Sequence, residues 1–199
     1  IAILEGVFSQ SELEQAFAAH CYLVVHQQQQ IDLLAAYRGD ARTHIWLKVD
    51  SGMHRLGFAP EYVASAYQQL SSLNCVEKII LTSHFACADE PNSPKTQQQL
   101  AVLEQLYQQL PHTLSRSFAN SAAILAWPNT HHQWVRPGIM LYGSSPFAHQ
   151  TASHLNLRAV MTLKTKVIAL RTIATGETVG YGSTWQAQRE TQLAVIAIG

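Results

Sequence analysis

Short apolar runs alternate with longer helix-like ones through the first 143 residues, and this alternation restricts the fold more than any other feature. Residues 1–4, CYLVVH from Cys21, the run from Ile45 and VEKIIL from Val76 have the length and composition of buried strands. Between them lie helix signals. Ser9 and Glu12 form an S-x-x-E capping box that predicts a helix to about His20. Residues 27–38 carry Ile31, Leu34 and Ala35 at helical spacing, with Gly39 as the expected stop. Pro60 suits the first position of a helix ending near Ser72. Ser93 and Pro94 open another, whose Leu100, Leu103, Leu106, Tyr107 and Leu110 form one apolar stripe. Strands alternating with helices of this length imply parallel pairing and right-handed crossovers. About six such units fit before residue 144, which is most of a (β/α)8 barrel over residues 1–150.

After residue 154 the period changes from helical to two. Ala159, Met161, Leu163, Thr165 and Val167 fall on one face and Arg158, Thr162, Lys164 and Lys166 on the other. Gly176, Gly180 and Gly182 punctuate the next stretch, and AVIAI near the end reads as a further strand. The start of an all-β C-terminal domain is therefore expected over residues 156–199. The fold class is α/β, a partial barrel followed by that domain.

The 199 residues are 47% hydrophobic with no net formal charge, so no electrostatic case exists for binding nucleic acid or an anionic membrane. No apolar stretch approaches the ~20 residues of a membrane span, and a cytoplasmic location is expected. Cys21, Cys75 and Cys87 are too far apart for a zinc motif, and no metal is expected. His131 and His132 are adjacent, so they cannot share one face as a ligand pair. Asp89 and Glu90 read as a solvated loop.

Chemistry concentrates where strands run into loops, the end of a parallel sheet at which ligands bind. IWLKVDSGMHRLGF from Ile45 to Phe58 places Lys48, Asp50, Met53 and Arg55 there. HFACADE from His84, FANSAA around Asn120 and WVRPGIMLYG around Arg136 repeat the format of strand followed by reactive loop.

Together with GETVGYGSTW, these motifs run through the whole chain in an order and spacing that resembles the bacterial alanine racemases. The resemblance implies a pyridoxal 5'-phosphate (PLP) enzyme with an N-terminal β/α barrel, a C-terminal β domain and active sites shared across a homodimer. Its implied reaction is the two-base interconversion of L- and D-alanine that supplies peptidoglycan synthesis. One departure matters. The family's PLP lysine lies in a VKANAYGHG-like segment, and none of Lys48, Lys78, Lys95, Lys164 and Lys166 has that context. The chain thus reads as an internal fragment, beginning at what resembles the third barrel strand and inactive by itself. A PLP-binding or structural piece without turnover, or a racemase of broader specificity, is the alternative.

The resemblance also implies roles. Tyr181 is similar to the tyrosine that moves the α-proton on one face of the substrate, reaching the partner subunit's site. Such a phenol must titrate below its free value of ~10, which a nearby imidazole or guanidinium favours. Arg136 resembles the arginine that hydrogen-bonds the pyridine nitrogen. A guanidinium only donates, so that nitrogen stays unprotonated and the coenzyme becomes a weaker electron sink. His84 resembles the histidine beside the ring that links Arg136 toward Tyr181. Ser121 with the amides of Gly138 and Ile139 resembles the phosphate cradle, and Asn120 shapes that pocket. Arg55, with Met53 beside it, resembles the arginine at the substrate carboxylate. Lys48 matches a lysine carbamylated in relatives, where the new anion pairs with that arginine; Asp50 is the alternative partner.

Overall fold

The computed structural model describes residues 1–198, which divide into two compact units, one over residues 1–159 and the other from Val160 onward. The first unit holds a five-stranded sheet in which every pairing is parallel and the strands lie in chain order. These strands are β1 (Ala2–Ile3), β2 (Tyr22–Val25), β3 (Thr43–Lys48), β4 (Val76–Thr82) and β5 (Ser115–Ser117). The connecting helices are α1 (Gln10–Ala18), α2 (Gln28–Ala36), α3 (Pro60–Ser71) and α4 (Lys95–Tyr107), and α5 (Ser121–Ala126) follows β5. A sequential parallel sheet with a helix at each crossover is the architecture of a partial β/α barrel.

Local chemistry explains the helix starts. Ser9 Oγ accepts from the Glu12 amide at 3.2 Å, and the Glu12 carboxylate accepts from the Phe8 amide at 2.7 Å, one residue before the cap. Pro60 occupies the first turn of α3, where its missing N–H costs nothing. Asn120 caps α5, its Oδ1 accepting from the Ala123 amide at 3.0 Å.

Strand alternation then builds two layers. Leu23, Ile45, Leu47, Ile79 and Leu81 join Leu13, Leu34, Val63, Leu70 and Leu103 from the helices in the main core. The opposite sheet face carries a small cluster of Val24, Trp46 and Ile80. On that face Tyr22 stacks on His44 with 4.5 Å between ring centroids, and Trp46 meets Trp134 at 5.7 Å.

The structure corrects four sequence expectations. The chain leaves α2 at Tyr37, which is extended, and Gly39 has no positive φ, so glycine is not the stop. Leu110 lies beyond the end of α4, although its side chain is still buried. Five strands form instead of six. The run before Arg136 makes one bridge, Ser117 to Trp134: the Trp134 amide donates to Arg116 O but the Arg136 amide donates to Ala119 O, so a two-residue step meets a three-residue step and the ladder loses register. In the second unit, residues 160–166 carry no strand despite their alternation. The antiparallel partner of β6 (Val167–Ile173) is β9 (Thr191–Ile196), whose ladder reaches only Val167.

The rest of that unit is a small pair, β7 (Thr178–Val179) and β8 (Trp185–Gln186). No helix among the described residues is long and apolar enough to cross a membrane. The five-stranded sheet is not closed: residues 133 and 134 cover the outer edge of β5, but β1 is an open edge with no strand beyond it among the described residues. We predict that the 199-residue chain expressed alone associates. Size-exclusion chromatography should place it above monomer size, and a stable monomer would contradict this.

Candidate active site

Arg136 is the best-anchored charge in the first unit. One terminal nitrogen donates to Thr82 Oγ1 at 3.0 Å, Ser117 O at 2.6 Å and Ser117 Oγ at 2.7 Å. The other donates to Ser83 O and to Phe118 O. All five acceptors are neutral oxygens at the ends of β4 and β5, and no carboxylate pairs with Arg136 among the described residues. Burial lowers its pKa to about 10, which still leaves it cationic at neutral pH. Nε donates to no group among the described residues. The guanidinium is thus fixed at two nitrogens and open at the third.

Around it lies a cleft of about 360 Å³ lined by Lys48, Arg55, His84, Arg136 and Gly138, with Glu5 as the one carboxylate and Leu4, Val24, Trp46 and Leu56 supplying apolar wall. Three cations against one anion make it a site for a negatively charged ligand. An adjoining cleft of about 310 Å³ shares His84, Arg136 and Gly138 and adds Asn120, Ser121 and Ile139, with Asp89 as its one carboxylate. A larger cleft of about 690 Å³ beside Asp89, Glu90 and His149 has no lysine or arginine in its lining. Asp89 and Glu90 are both exposed there.

The loop that carries Arg55 is stitched at its base. Val49 bridges Phe58, and the Asp50 amide donates to Phe58 O at 2.9 Å. The Asp50 carboxylate accepts from the Gly52 and His54 amides at 3.0 and 2.9 Å and meets His54 Nδ1 at 3.2 Å. Burial raises the Asp50 pKa, but the His54 and Gly52 amides and the His54 ring outweigh it and hold the carboxyl below its usual range. Asp50 is therefore spent on its own loop, and the suggestion that it pairs with Arg55 is overturned. Gly57 has φ 137°, and a Cβ there would collide with the Asp50 backbone, so only glycine closes the loop.

Lys48 and His84 feel the same field. Burial lowers the Lys48 pKa, followed by repulsion from Arg136 and Arg55, with Asp50 opposing. Burial likewise lowers that of His84, followed by Arg136, Lys48 and Arg55, to about 4. His84 is therefore a neutral imidazole at pH 7. Its Nε2 faces Asn120 Nδ2 at 3.5 Å and not Arg136, whose terminal nitrogens are already filled.

Ser121 Oγ accepts from the Gly138 amide at 2.8 Å and the Met140 amide at 3.4 Å, so its own O–H is left to donate. Ile139 begins a 3₁₀ turn (Ile139–Tyr142), and its amide has no acceptor among the described residues. A Cβ on Gly138 would stand 3.9 Å from Ser121 Oγ and meet nothing else within 4 Å, so glycine keeps this mouth clear.

The first unit thus brings together Lys48, Arg55, His84, Arg136, Asn120, Ser121, Gly138 and Ile139. Met53 lines neither cleft. Tyr181 belongs to the second unit, in a 3₁₀ turn between Gly180 and Gly182, and is exposed. Sequence reasoning missed Thr82 and Ser117, the anchors of Arg136. A polar residue ending an apolar strand was their one signal.

Two family models cover nearly all of the chain: the alanine racemase N-terminal domain matches residues 1–146, and the alanine racemase C-terminal domain matches residues 160–199. The chain belongs to the alanine racemase family. It is 42% identical over 200 residues to an alanine racemase of Halorhodospira halophila, and 43% identical over 203 residues to the biosynthetic alanine racemase of Pseudomonas aeruginosa. Both matches take in the whole chain but only 54% and 55% of the relative. The chain spans about half the length of the curated relatives it matches. The crystal structure of that Pseudomonas alanine racemase superposes with a TM-score of 0.92 at 44% identity, over 100% of this chain and 55% of the other. An alanine racemase from Bartonella henselae, whose structure holds covalently bound pyridoxal phosphate, superposes at 0.77 with 28% identity, over 100% of this chain and 55% of that one. The parallel α/β core followed by a β domain is the fold these racemases share.

The charge environment yields a titration prediction. His84 should titrate near pH 4 by histidine-selective NMR, and Lys48→Met should raise that midpoint by removing a repelling cation. In the unfolded chain His84 titrates near ~6.5, so between there and about 4 the unfolded state binds more protons. Stability should fall as pH drops through that window, and His84→Asn should make the fall shallower in urea melts. A His84 midpoint near 6.5, unmoved by Lys48→Met, would contradict the assignment.

Proposed function

We propose that the chain is the barrel portion and the start of the β domain of a PLP-dependent alanine racemase. The uncompensated cation at Arg136, flanked by two clefts with opposite tasks, carries this reading. The residues present fit PLP in two respects. Ser121 O–H and the Ile139 amide are donors aimed at the adjoining cleft, beside a glycine mouth that leaves room for a phosphate. Arg136 Nε is a rigidly held donor for a neutral ring nitrogen. The family's anchoring lysine segment has no counterpart among this chain's five lysines.

When bound, PLP supplies the electron sink that makes the α C–H of an amino acid acidic. This chain's residues do the rest. Arg136 stays protonated and keeps the ring nitrogen an acceptor, which limits the sink and disfavours transamination. Arg55, close to Lys48, offers a guanidinium to the substrate carboxylate. Tyr181 holds or takes the α-proton on one face, and a lysine outside this chain serves the other. His84, neutral at pH 7, adds no positive charge beside the ring.

Lys48 is a candidate for carbamylation. Its lowered pKa leaves more free amine to attack the carbon of CO2, and loss of the N-bound proton then gives a carbamate anion facing Arg55. We further propose a homodimer in which Tyr181 completes the partner subunit's site, working in the cytoplasm to supply D-alanine for peptidoglycan. Alanine is the proposed substrate.

Activity is best assayed in a protein of the relatives' full length that carries this chain. It should bind PLP and interconvert L- and D-alanine, and a protein that binds no PLP would contradict the proposal. Tyr181→Phe should slow solvent-deuterium incorporation from one enantiomer at least tenfold more than from the other. Equal slowing of both would remove its one-face role.

A further inference from the structure

Gln99 lies in the middle of α4, fully buried, and neither cleft includes it. Both of its N–H donors and its carbonyl oxygen are used, on two different loops. Nε2 donates to Ser51 Oγ at 3.1 Å and to the His84 carbonyl at 3.0 Å, while Oε1 accepts from the Ala86 amide at 2.9 Å. Ser51 begins the loop that carries Arg55, whereas His84 and Ala86 follow β4.

The network continues with one direction only. Ser83 Oγ donates to Val49 O at 2.9 Å, so in its 2.9 Å contact with Ser51 Oγ it must accept. Ser51 therefore donates to Ser83 and accepts from Gln99. The Ser83 carbonyl in turn receives Arg136. One buried amide thus connects the backbone before Arg55, the backbone of His84 and, through Ser83, the guanidinium of Arg136.

The same device occurs two strands earlier. Gln30, buried in the first turn of α2, donates to the Glu5 carbonyl at 3.0 Å and accepts from the His26 amide at 2.8 Å. It likewise ties the loop after its own strand to the loop after the preceding one. Buried glutamines are uncommon because an unmet amide is costly, so two that make the same kind of tie mark a structural task. Gln99 is the one whose loops bear charged groups of the cleft.

We propose that Gln99 is a positioning residue that sets the spacing between Arg55 and His84, and so between the substrate-carboxylate donor and the coenzyme's imidazole neighbour. Glutamine is required because the site needs two donors and one acceptor on a single planar group. Glutamate would set an oxygen against the His84 carbonyl and draw the Ser51 proton away from Ser83, and a hydrocarbon would leave His84 O and the Ala86 amide unmet.

The kinetic part of this inference rests on the proposed racemase reading; the structural part does not. In the full-length protein carrying this chain, Gln99→Met keeps side-chain volume and removes all three bonds. It should lower kcat for alanine about 10- to 100-fold, the scale of a roughly 1 Å misplacement, while far-UV circular dichroism stays native. The His84 midpoint should rise from about 4 toward the ordinary histidine value of ~6.5 as the loop withdraws from burial and from the cations. Ser51→Ala cuts the Gln99 arm to the Arg55 loop together with the Ser51–Ser83 bond, and keeps both Gln99 bonds to the His84 loop; it should raise KM severalfold and leave the His84 midpoint in place. That variant also keeps the test standing if Gln99→Met does not fold. Thr96→Val, one turn earlier on α4 at a buried hydroxyl that makes no hydrogen bond, should change neither reading. An unmoved His84 midpoint in folded Gln99→Met would overturn the positioning role, whatever the activity. A protein without racemase activity whose His84 still shifts would overturn the functional reading and uphold the tie.

Discussion

A buried guanidinium that has oxygen acceptors but no counterion is the constraint on which the rest of the site depends. Taking Arg136 out of water is costly, and five neutral oxygens from Thr82, Ser83, Ser117 and Phe118 offset that cost without cancelling the charge. Those oxygens exist together only because β4 and β5 end in register, so sheet geometry fixes the cation. Because the charge is not neutralised, it acts on its neighbours. It helps keep His84 neutral and lowers the Lys48 pKa, and it leaves the cleft in want of an anion or a lone pair.

The parallel sheet supplies precision, and the loops supply chemistry. Each loop is closed locally before it is placed globally. Asp50 folds the Arg55 loop around two backbone amides, Asn120 caps α5 so that Ser121 starts its first turn, and Ser121 gathers the Gly138 and Met140 amides. Gln99 then joins two of these closed loops. This order of construction explains why polar residues account for so much of the buried volume near the strand ends: Thr82, Ser83, Ser117, Ser121 and Gln99 are all nearly inaccessible to water.

Much of this was legible in the sequence, for identifiable reasons. Strands β2, β3 and β4 announced themselves by the apolar runs Leu23 to Val25, Ile45 to Leu47 and Ile79 to Leu81, which are buried on both faces of the sheet. The starts of α1 and α3 were readable because Ser9, Glu12 and Pro60 act within one turn of where they stand. The motif residues Lys48, Arg55, His84, Ser121 and Arg136 were legible as loop chemistry. What failed was whatever depends on a partner distant in the chain. The run before Arg136 looked like a strand, but strand status belongs to a pair, and a one-residue slip between Arg116 and Ala119 ends the ladder after one bridge. Residues 160–166 alternate correctly and still form no ladder, since β9 does not reach them. Gln99 was invisible as anything but one more glutamine in a polar helix, because its meaning lies in Ser51 and His84, 48 and 15 residues away.

In the proposed function Arg136 presents its remaining N–H to the ring nitrogen of pyridoxal phosphate. Selective ¹⁵N NMR of the Arg136 Nε–H in a full-length protein carrying this chain, recorded with and without pyridoxal phosphate, tests that directly. The account predicts that on binding the Nε–H proton moves downfield and exchanges more slowly with water, while the terminal nitrogens, already held by the sheet, change little. An Nε–H resonance that is the same in both states, with the coenzyme bound, would contradict it.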